Sequence, residues 1–287
     1  MTTLPQLPQG TGRMLAGHEA RDAALQYGAI PQERTWGEWE KVGTRGKCIS
    51  GALGVLLEAS RAGLYPELEA MVGVEQDPQW HPEGDVWTHA GLAADQGARL
   101  ADEAGLAGAD RLVIVFAALT HDAGKATRTR QDGGRVTAHG HAAAGVAPAT
   151  AFLRSIGCPP DIIARILPLV REHMNVLGRP SRPAVRRLAR RLVPATLAEL
   201  ALVSAADCKG RGDPDAPSPA SAWLELGRDL DIAERPARGL LTGDHLKAAG
   251  LAPGPAFRPL LAEALAAQDA GEFLDEDGAV RWLAARG

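Results

Sequence analysis

Leu112-Val-Ile-Val-Phe-Ala-Ala-Leu-Thr120, followed at once by His121-Asp122, decides the reading of this chain. The run is apolar on every side, which suits a helix buried on all faces rather than an amphipathic surface helix. At the end of such a helix, neighbouring side chains fan out around a common point, so His121 and Asp122 can both reach one cation. The pair alone carries little weight. Here it is accompanied by His89 upstream, by His141 and His173 downstream, and by Asp207 inside Ala206-Asp-Cys-Lys-Gly-Arg211. Six of the eight histidines fall between positions 81 and 173, so imidazole is concentrated where the pattern needs it.

The chain on either side of that run also reads as helix. Leu53, Leu56 and Leu57 share a face between Ser50 and Gly63. A helix carrying His89 follows, with Leu92, Leu100 and their alanine neighbours on its buried side. The central helix spans about 110–123 and Gly124 ends it, while 128–138 reads as a polar loop or small hairpin around Asp132-Gly-Gly134. A helix restarts after His141. Another leaves Cys158-Pro-Pro-Asp161 and ends near His173, with Pro168 kinking or splitting it. Helices follow at about 183–192, 194–206 and 220–233, and three short ones lie beyond Gly243. Residues 210–219 are a linker by composition.

Since no stretch alternates convincingly in period two, the fold class is all-α. It divides into a loose lead over 1–13, an N-terminal helical segment over 14–76, a central domain over 77–210 and a C-terminal helical segment over 220–287. Composition agrees: of 287 residues, 45% are hydrophobic, mostly Ala, Leu and Val, and only 4% are aromatic. A net charge of −4 gives no global nucleic-acid signal. Three cysteines without CxxC spacing fit a reducing cytoplasm rather than a disulfide scaffold. The sequence holds no run near the roughly 18–20 apolar residues of a membrane span and no secretion signal at its start.

Two or three imidazoles with two carboxylates suit a divalent transition metal such as Ni, Co, Mn, Fe or Zn. Such an ion can acidify a water and polarise a phosphoryl oxygen. His89, His121, Asp122 and Asp207 are assigned to a first metal. His141 and His173 either complete a second position or donate hydrogen bonds to phosphate. Lys125, three residues after Asp122, is placed to offset phosphoryl charge, and Arg171 is a weaker candidate for that role. His139 reads as a spectator, His81, Glu83 and Asp85 as residues that structure a Pro/Gly loop, and His18 and His245 as surface residues. Six arginines crowd the thirteen positions from Arg179 to Arg191. Arg186, Arg187, Arg190 and Arg191 are either a solvated helix face or a grip on an RNA backbone.

The ordered set His89, His121-Asp122, His141, His173, Asp207 resembles the HD-domain metal-dependent phosphohydrolases, and the fold it implies is an HD-domain helical bundle with short helical extensions at both ends. The likeness is closer still. Leu64-Tyr-Pro-Glu67 through Trp87-Thr-His89, His121-Asp-Ala-Gly-Lys125, Gly140-His141, Glu172-His173-Met174 and Ala206-Asp-Cys-Lys-Gly-Arg211 resemble, in order, the HD part of bacterial tRNA nucleotidyltransferases (CCA-adding enzymes). Leu241-Thr-Gly-Asp-His-Leu246 and Gly250-Leu-Ala-Pro-Gly-Pro255 are similar to the C-terminal segment of those enzymes. The chain shows neither their Gly-Gly-x-Val-Arg-Asp type loop nor an Asp-x-Asp pair on a sheet; Asp213-Pro-Asp215 lies in a Pro-rich stretch.

The resemblance therefore implies 2′,3′-cyclic phosphodiesterase, 2′-nucleotidase or phosphatase chemistry on a nucleotide or an RNA 3′-end, with one or two metal ions, and no nucleotide addition by this chain. Lys125 and Asp122 are the catalytic assignments, and Lys125, His141, His173 and Arg171 would meet the substrate. Two alternatives stand beside this reading. One is hydrolysis of a small nucleotide. The other is an RNA-binding body with a structural HD site that partners a separate nucleotidyltransferase head.

Overall fold

Helix α5 (Gly108–Thr120) forms the axis around which the rest is arranged, and each of its residues from Arg111 to Thr120 is buried. In the computed structural model, residues 31–59, 63–213, 215–235 and 238–286 are described. The expected loose lead over 1–13 and His18 lie outside them. Helices α1 (Gln32–Arg45), α2 (Ile49–Ala59) and the short α3 (Pro66–Glu69) precede α4 (Val86–Glu103), which packs along α5. After α5 come a single turn, α6 (Lys125–Arg128), and the hairpin β1 (Arg130–Asp132) and β2 (Arg135–Thr137). Then follow α7 (His141–Ser155), α8 (Pro160–Glu172), a 3-10 turn (His173–Val176), α9 (Arg182–Leu192) and α10 (Leu197–Gly210). The C-terminal part holds α11 (Ser221–Asp229), α12 (Gly243–Ala248), α13 (Phe257–Ala270) and α14 (Glu276–Ala284).

Among the described residues the fold is all-helical apart from that hairpin. Its two central residues, Gly133 and Gly134, have φ of 55° and 80°, the pair of positive angles a tight two-residue turn demands.

Small residues bring the elements around the centre close together. On α4 the buried positions include Ala90, Ala93, Ala94, Gly97, Ala98 and Ala101, whereas Leu92 and Leu100 are only half-buried. The leucines flank the contact because the gap to α5 and α10 admits no larger side chain: a Cβ on Gly97 would stand 3.2 Å from that of Ala118. Larger side chains fill the far side of α5. Trp39 meets Phe116, Phe152 and Tyr65 edge to face, with ring centres 6.1, 5.0 and 5.3 Å apart. Buried Arg111 ties the start of α5 to α1, donating to the carbonyls of Gly43 at 2.6 Å and Gly46 at 2.7 Å while pairing with Asp102 at 2.7 Å.

Three expectations change. The central helix stops at Thr120, and Gly124 is not its left-handed terminator but a point of contact: its φ is −70°, and a Cβ there would lie 2.1 Å from the carbonyl oxygen of His141. Pro168 does not split α8, which runs unbroken with that residue buried in its interior. The stretch read as a linker is anchored at its end, where Ser218 Oγ donates to Ser204 Oγ at 3.2 Å and Ala220 is fully buried. A second, separate core of Leu241, Leu246, Phe273, Ala279 and Trp282 holds the last three helices together.

Candidate metal centre

Five chain segments deliver the candidate residues to one place. His89 projects from the first turn of α4, whose N-terminus is capped by Asp85 accepting from the Thr88 amide at 2.9 Å. His121 and Asp122 leave the end of α5, His141 opens α7, His173 follows the end of α8, and Asp207 sits in the last turn of α10. His89, His121, Asp122, His141 and His173 are all buried.

Asp122 stands between two groups. Its Oδ2 faces His121 Nε2 at 3.3 Å and His89 Nε2 at 3.8 Å, and Asp207 Oδ1 closes that side at 3.2 Å from His89 Nε2. Its Oδ1 faces His141 Nε2 at 3.1 Å and His173 Nε2 at 3.7 Å. The sequence-assigned first set and the added pair of histidines thus occupy opposite sides of one carboxylate.

The ring orientations have a local cause. His121, His141 and His173 each donate Nδ1–H to a backbone carbonyl three residues back, at Ala118 (2.7 Å), Ala138 (2.8 Å) and Val170 (2.7 Å). Each bond occupies Nδ1, fixes the ring's orientation and turns Nε2 inward. His89 is held differently, with Nδ1 2.6 Å from Glu83 Oε1, a contact close enough for an ion pair but off the line of a directed hydrogen bond.

Such a set suits a cation. His141 Nε2 and His173 Nε2 lie 3.1 Å apart with both rings already donating on the other side, so in neutral rings two lone pairs oppose each other. Burial and the neighbouring His121 push His173 down to about 3, so it supplies no proton to relieve that opposition. A metal ion between them would. Three groups here, His89 with His121 and Asp207, His121 with Asp122 and His173, and His89 with His81 and Glu83, have donor atoms close enough to share an ion.

Electrostatics favours ionised carboxylates. Burial works against charge on Asp122, but His121 and Lys125 outweigh it and hold the carboxyl well below its usual range. Asp207 is likewise held far below that range despite burial, by His89 above all, and Arg211 grips both its oxygens at 2.8 and 2.9 Å. For His89, burial opposes the charge, yet bonds to Asp207 and Glu83 push it up to about 9. In the metal-free protein that charged ring contributes stability fully present below its ordinary 6.5 and lost as pH rises through about 9.

A cation must displace the proton from His89. Metal uptake at neutral pH is therefore expected to release close to one proton from this ring, and apparent affinity to rise by about tenfold per pH unit until roughly 9. Calorimetric titrations in buffers of different ionisation heat measure the release directly; uptake with no proton exchanged would contradict it.

The remaining assignments fall as follows. Lys125 is buried, with Nζ 2.6 Å from Asp122 Oδ2 and donating to Gln76 Oε1 at 2.7 Å, so it lies at the rim of the cluster. Arg171 points elsewhere: it bonds Glu172 Oε1 at 3.0 Å and the carbonyl of Arg191 at 2.8 Å, with a side chain 48% exposed. His139 is exposed and takes no part in the cluster. Asp85 and His245 both cap helices, at α4 and α12.

Sequence reasoning did not assign Arg211 or Gln76, and it took Glu83 and His81 for loop residues. Glu83 bridges His89 and His81, which sits 2.9 Å away, and these two histidines bring its carboxyl down to about 2 against the effect of burial. His81 Nε2 in turn lies 3.5 Å from Lys125 Nζ. The only signal in the sequence was the proximity of His81, Glu83 and His89 along the chain.

The four arginines of α9 do not form one strip. Arg186 is buried and Arg190 pairs with Asp269 of α13, whereas Arg191 bonds Glu172 at 2.9 Å and Arg187 is exposed.

This arrangement, a His-Asp pair at the end of a buried helix with further histidines and an aspartate from four other segments, goes with a match to a known domain: residues 86–209 match the HD domain. The chain is similar to the "Multifunctional CCA protein" of Xanthomonas campestris pv. campestris (strain B100), with 34% identity over 216 residues, covering 72% of this chain and 50% of that protein. The protein of the same name from Stenotrophomonas maltophilia (strain K279a) is 32% identical over 258 residues, or 84% of this chain and 57% of that one. The one from Xylella fastidiosa (strain 9a5c) is 36% identical over 168 residues, 56% and 38%. The chain spans about half the length of the curated relatives it matches. No solved structure matches it. Among the described residues, no helix is long and apolar enough to cross a membrane.

Proposed function

We propose that this chain is a metal-dependent phosphohydrolase that cleaves nucleotide or RNA-end phosphoesters. The observation that carries the reading is Asp122 turning one oxygen to the side of His89, His121 and Asp207 and the other to His141 and His173. His89, His121, Asp122 and Asp207 would hold a first ion, and Asp122, His141 and His173 a second. The mixed imidazole and carboxylate donors favour Ni, Co, Mn, Fe or Zn over Mg or Ca. A bound ion supplies Lewis acidity, lowering the pKa of a water and polarising a phosphoryl oxygen.

The protein groups do the rest. Lys125, held between Asp122 and Gln76, carries a positive charge at the rim where phosphoryl oxygens gain negative charge. Glu83 orients His89, and Arg211 orients Asp207. Similarity to the CCA proteins favours an RNA 3′-end or a nucleotide as the phosphoester, and chemistry of the 2′,3′-cyclic phosphodiesterase, 2′-nucleotidase or phosphatase type.

A panel of 2′,3′-cyclic nucleotides, nucleoside 2′-phosphates and aryl phosphodiesters, assayed with added Ni, Co or Mn, tests the proposal. Turnover of at least one class is expected; metal-loaded protein inert across the panel would overturn it in favour of an RNA-binding body with a structural site. Metal analysis tests the second position separately. Replacing His141 or His173 by alanine should lower bound metal from about two ions per chain towards one. Unchanged metal content with impaired turnover would instead make these histidines phosphate contacts.

A further inference from the structure

A cavity of about 480 Å³ lies between α9, residues 229–235 and 238–240, and the end of α13, and it contains none of the residues of the metal centre. Its lining is dominated by guanidinium groups. Helix α9 contributes Arg182, Arg186 and Arg190, one turn apart in succession, and the segment after α11 contributes Arg235 and Arg238. Three aspartates line the same space, and two are already engaged, Asp269 by Arg190 and Asp231 by Arg235 at 2.5 Å. Among the described residues, Arg182, Arg186 and Arg238 have no carboxylate partner, against one free carboxylate, Asp229.

Arg186 is the informative member. Its residue is only 9% exposed, and among the described residues its guanidinium makes no hydrogen bond or ion pair. Burial, and then the nearby charge of Arg182, pull its pKa below the usual arginine value, as expected for a cation with no counter-ion. An unpaired buried charge is costly, and proteins ordinarily partner it. The nearest feature is the left-handed Gly271 that ends α13, where an added Cβ would lie 3.3 Å from Arg186 Nη1. The partial negative charge of that helix end offsets little of a full cation. The rim is stiff, since Gln268 accepts from the Leu240 amide at 2.9 Å and donates to the Arg238 carbonyl at 3.0 Å.

We infer that this cavity is a phosphate-binding site in which Arg186, flanked by Arg182 and Arg238, receives a phosphate group of a free oligophosphate or of an RNA strand. Guanidinium forks match phosphate oxygens two at a time, and convergence of several from different elements selects a multiply charged anion over a carboxylate. The volume is enough for a phosphate with an attached nucleoside. The site is independent of the metal reading and stands or falls without it.

The experiment is calorimetric titration and thermal denaturation of the full chain with inorganic pyrophosphate and, separately, with a short single-stranded oligoribonucleotide. Pyrophosphate should bind and raise the melting temperature. Arg186→Met should weaken that binding by about tenfold or more, since charge-assisted hydrogen bonds are lost. The anion-free Arg186→Met protein should melt no lower than wild type, because an uncompensated charge has gone. A merely structural arginine predicts the reverse, a lower melting point and unchanged anion binding. Arg238→Ala, on the exposed rim, provides a second variant should the first not fold, and is expected to weaken binding too.

His121→Ala should keep the pyrophosphate response, which separates this site from the metal centre. Displacement of pyrophosphate by the oligoribonucleotide assigns the site to an RNA strand, and its absence assigns it to a small oligophosphate. Pyrophosphate affinity unchanged in Arg186→Met or in Arg238→Ala, or no binding by wild type, would overturn the inference.

Discussion

Asp122→Ala abolishes phosphoester turnover while the helical fold survives: this is the largest effect expected of a single change. Replacing an outer partner of a metal ligand already costs about 10–100-fold in affinity or activity, so loss of a carboxylate that would serve two positions should exceed about a hundredfold. Four imidazole nitrogens then face one another with Asp207 as the sole remaining carboxylate among them. Bound metal should fall at both positions together, in contrast to the single-position loss expected for His141→Ala. Asp122→Asn, which keeps the shape, separates charge from packing, and His121→Ala should be inactive as well. Circular dichroism reports the fold and metal analysis the ions. Wild-type turnover in both Asp122→Ala and His121→Ala would remove the basis for the proposed chemistry.

Gly124→Ala is the second large effect, and it acts through backbone contact rather than chemistry. The added Cβ would lie 2.1 Å from the His141 carbonyl oxygen and 2.5 Å from the Gly145 amide nitrogen, and neither atom can swing aside. The first turn of α7 has to move, and His141 moves with it. Forced overpacking of this kind costs about 3 kcal/mol, or on the order of 5–10 °C in melting temperature for a chain of this size. Metal at the His141 side should be lost even though no ligand has changed. Gly37→Ala is the control: among the described residues nothing lies within 4 Å of its added Cβ, and an alanine inside α1 should leave stability equal or slightly higher. Equal melting points for the Gly124→Ala and wild-type proteins would refute the close contact.

The same glycine shows where the sequence was readable and where it was not. The buried axis could be read from Leu112–Thr120 because unbroken apolarity ending in a polar pair suits little besides a core helix that opens onto a site. Gly124 was read as the end of that helix, which stops at Thr120 instead, since a terminator and a contact point look alike until α7 is in position. The buried face of α4 was read correctly in its alanines but not in its leucines: periodicity weights Leu92 and Leu100, whereas a narrow helix contact selects the smallest residues. Glu83 could not be placed because loop residues carry no period from which a direction follows.

The arginines of α9 were partly decipherable. Positions 186 and 190 are one turn apart, as are 187 and 191, and at about 100° per residue all four fall on one broad face, so the sequence left a single strip open. What divides that face, Asp269 on one side and Glu172 on the other, comes from segments remote in sequence.

The three carbonyls that steer His121, His141 and His173 belong to Ala118, Ala138 and Val170, and any amino acid at those positions would present the same oxygen. The alignment of three rings is therefore insulated from side-chain replacement in their immediate surroundings, provided the turns themselves persist. A one-residue insertion would be far more damaging there than any substitution. His89 has no such insurance, because its Nδ1 depends on a side chain, that of Glu83. Mutational fragility among the supporting residues is thus unevenly distributed, concentrated in a loop that precedes the helix rather than in the helices that form the core.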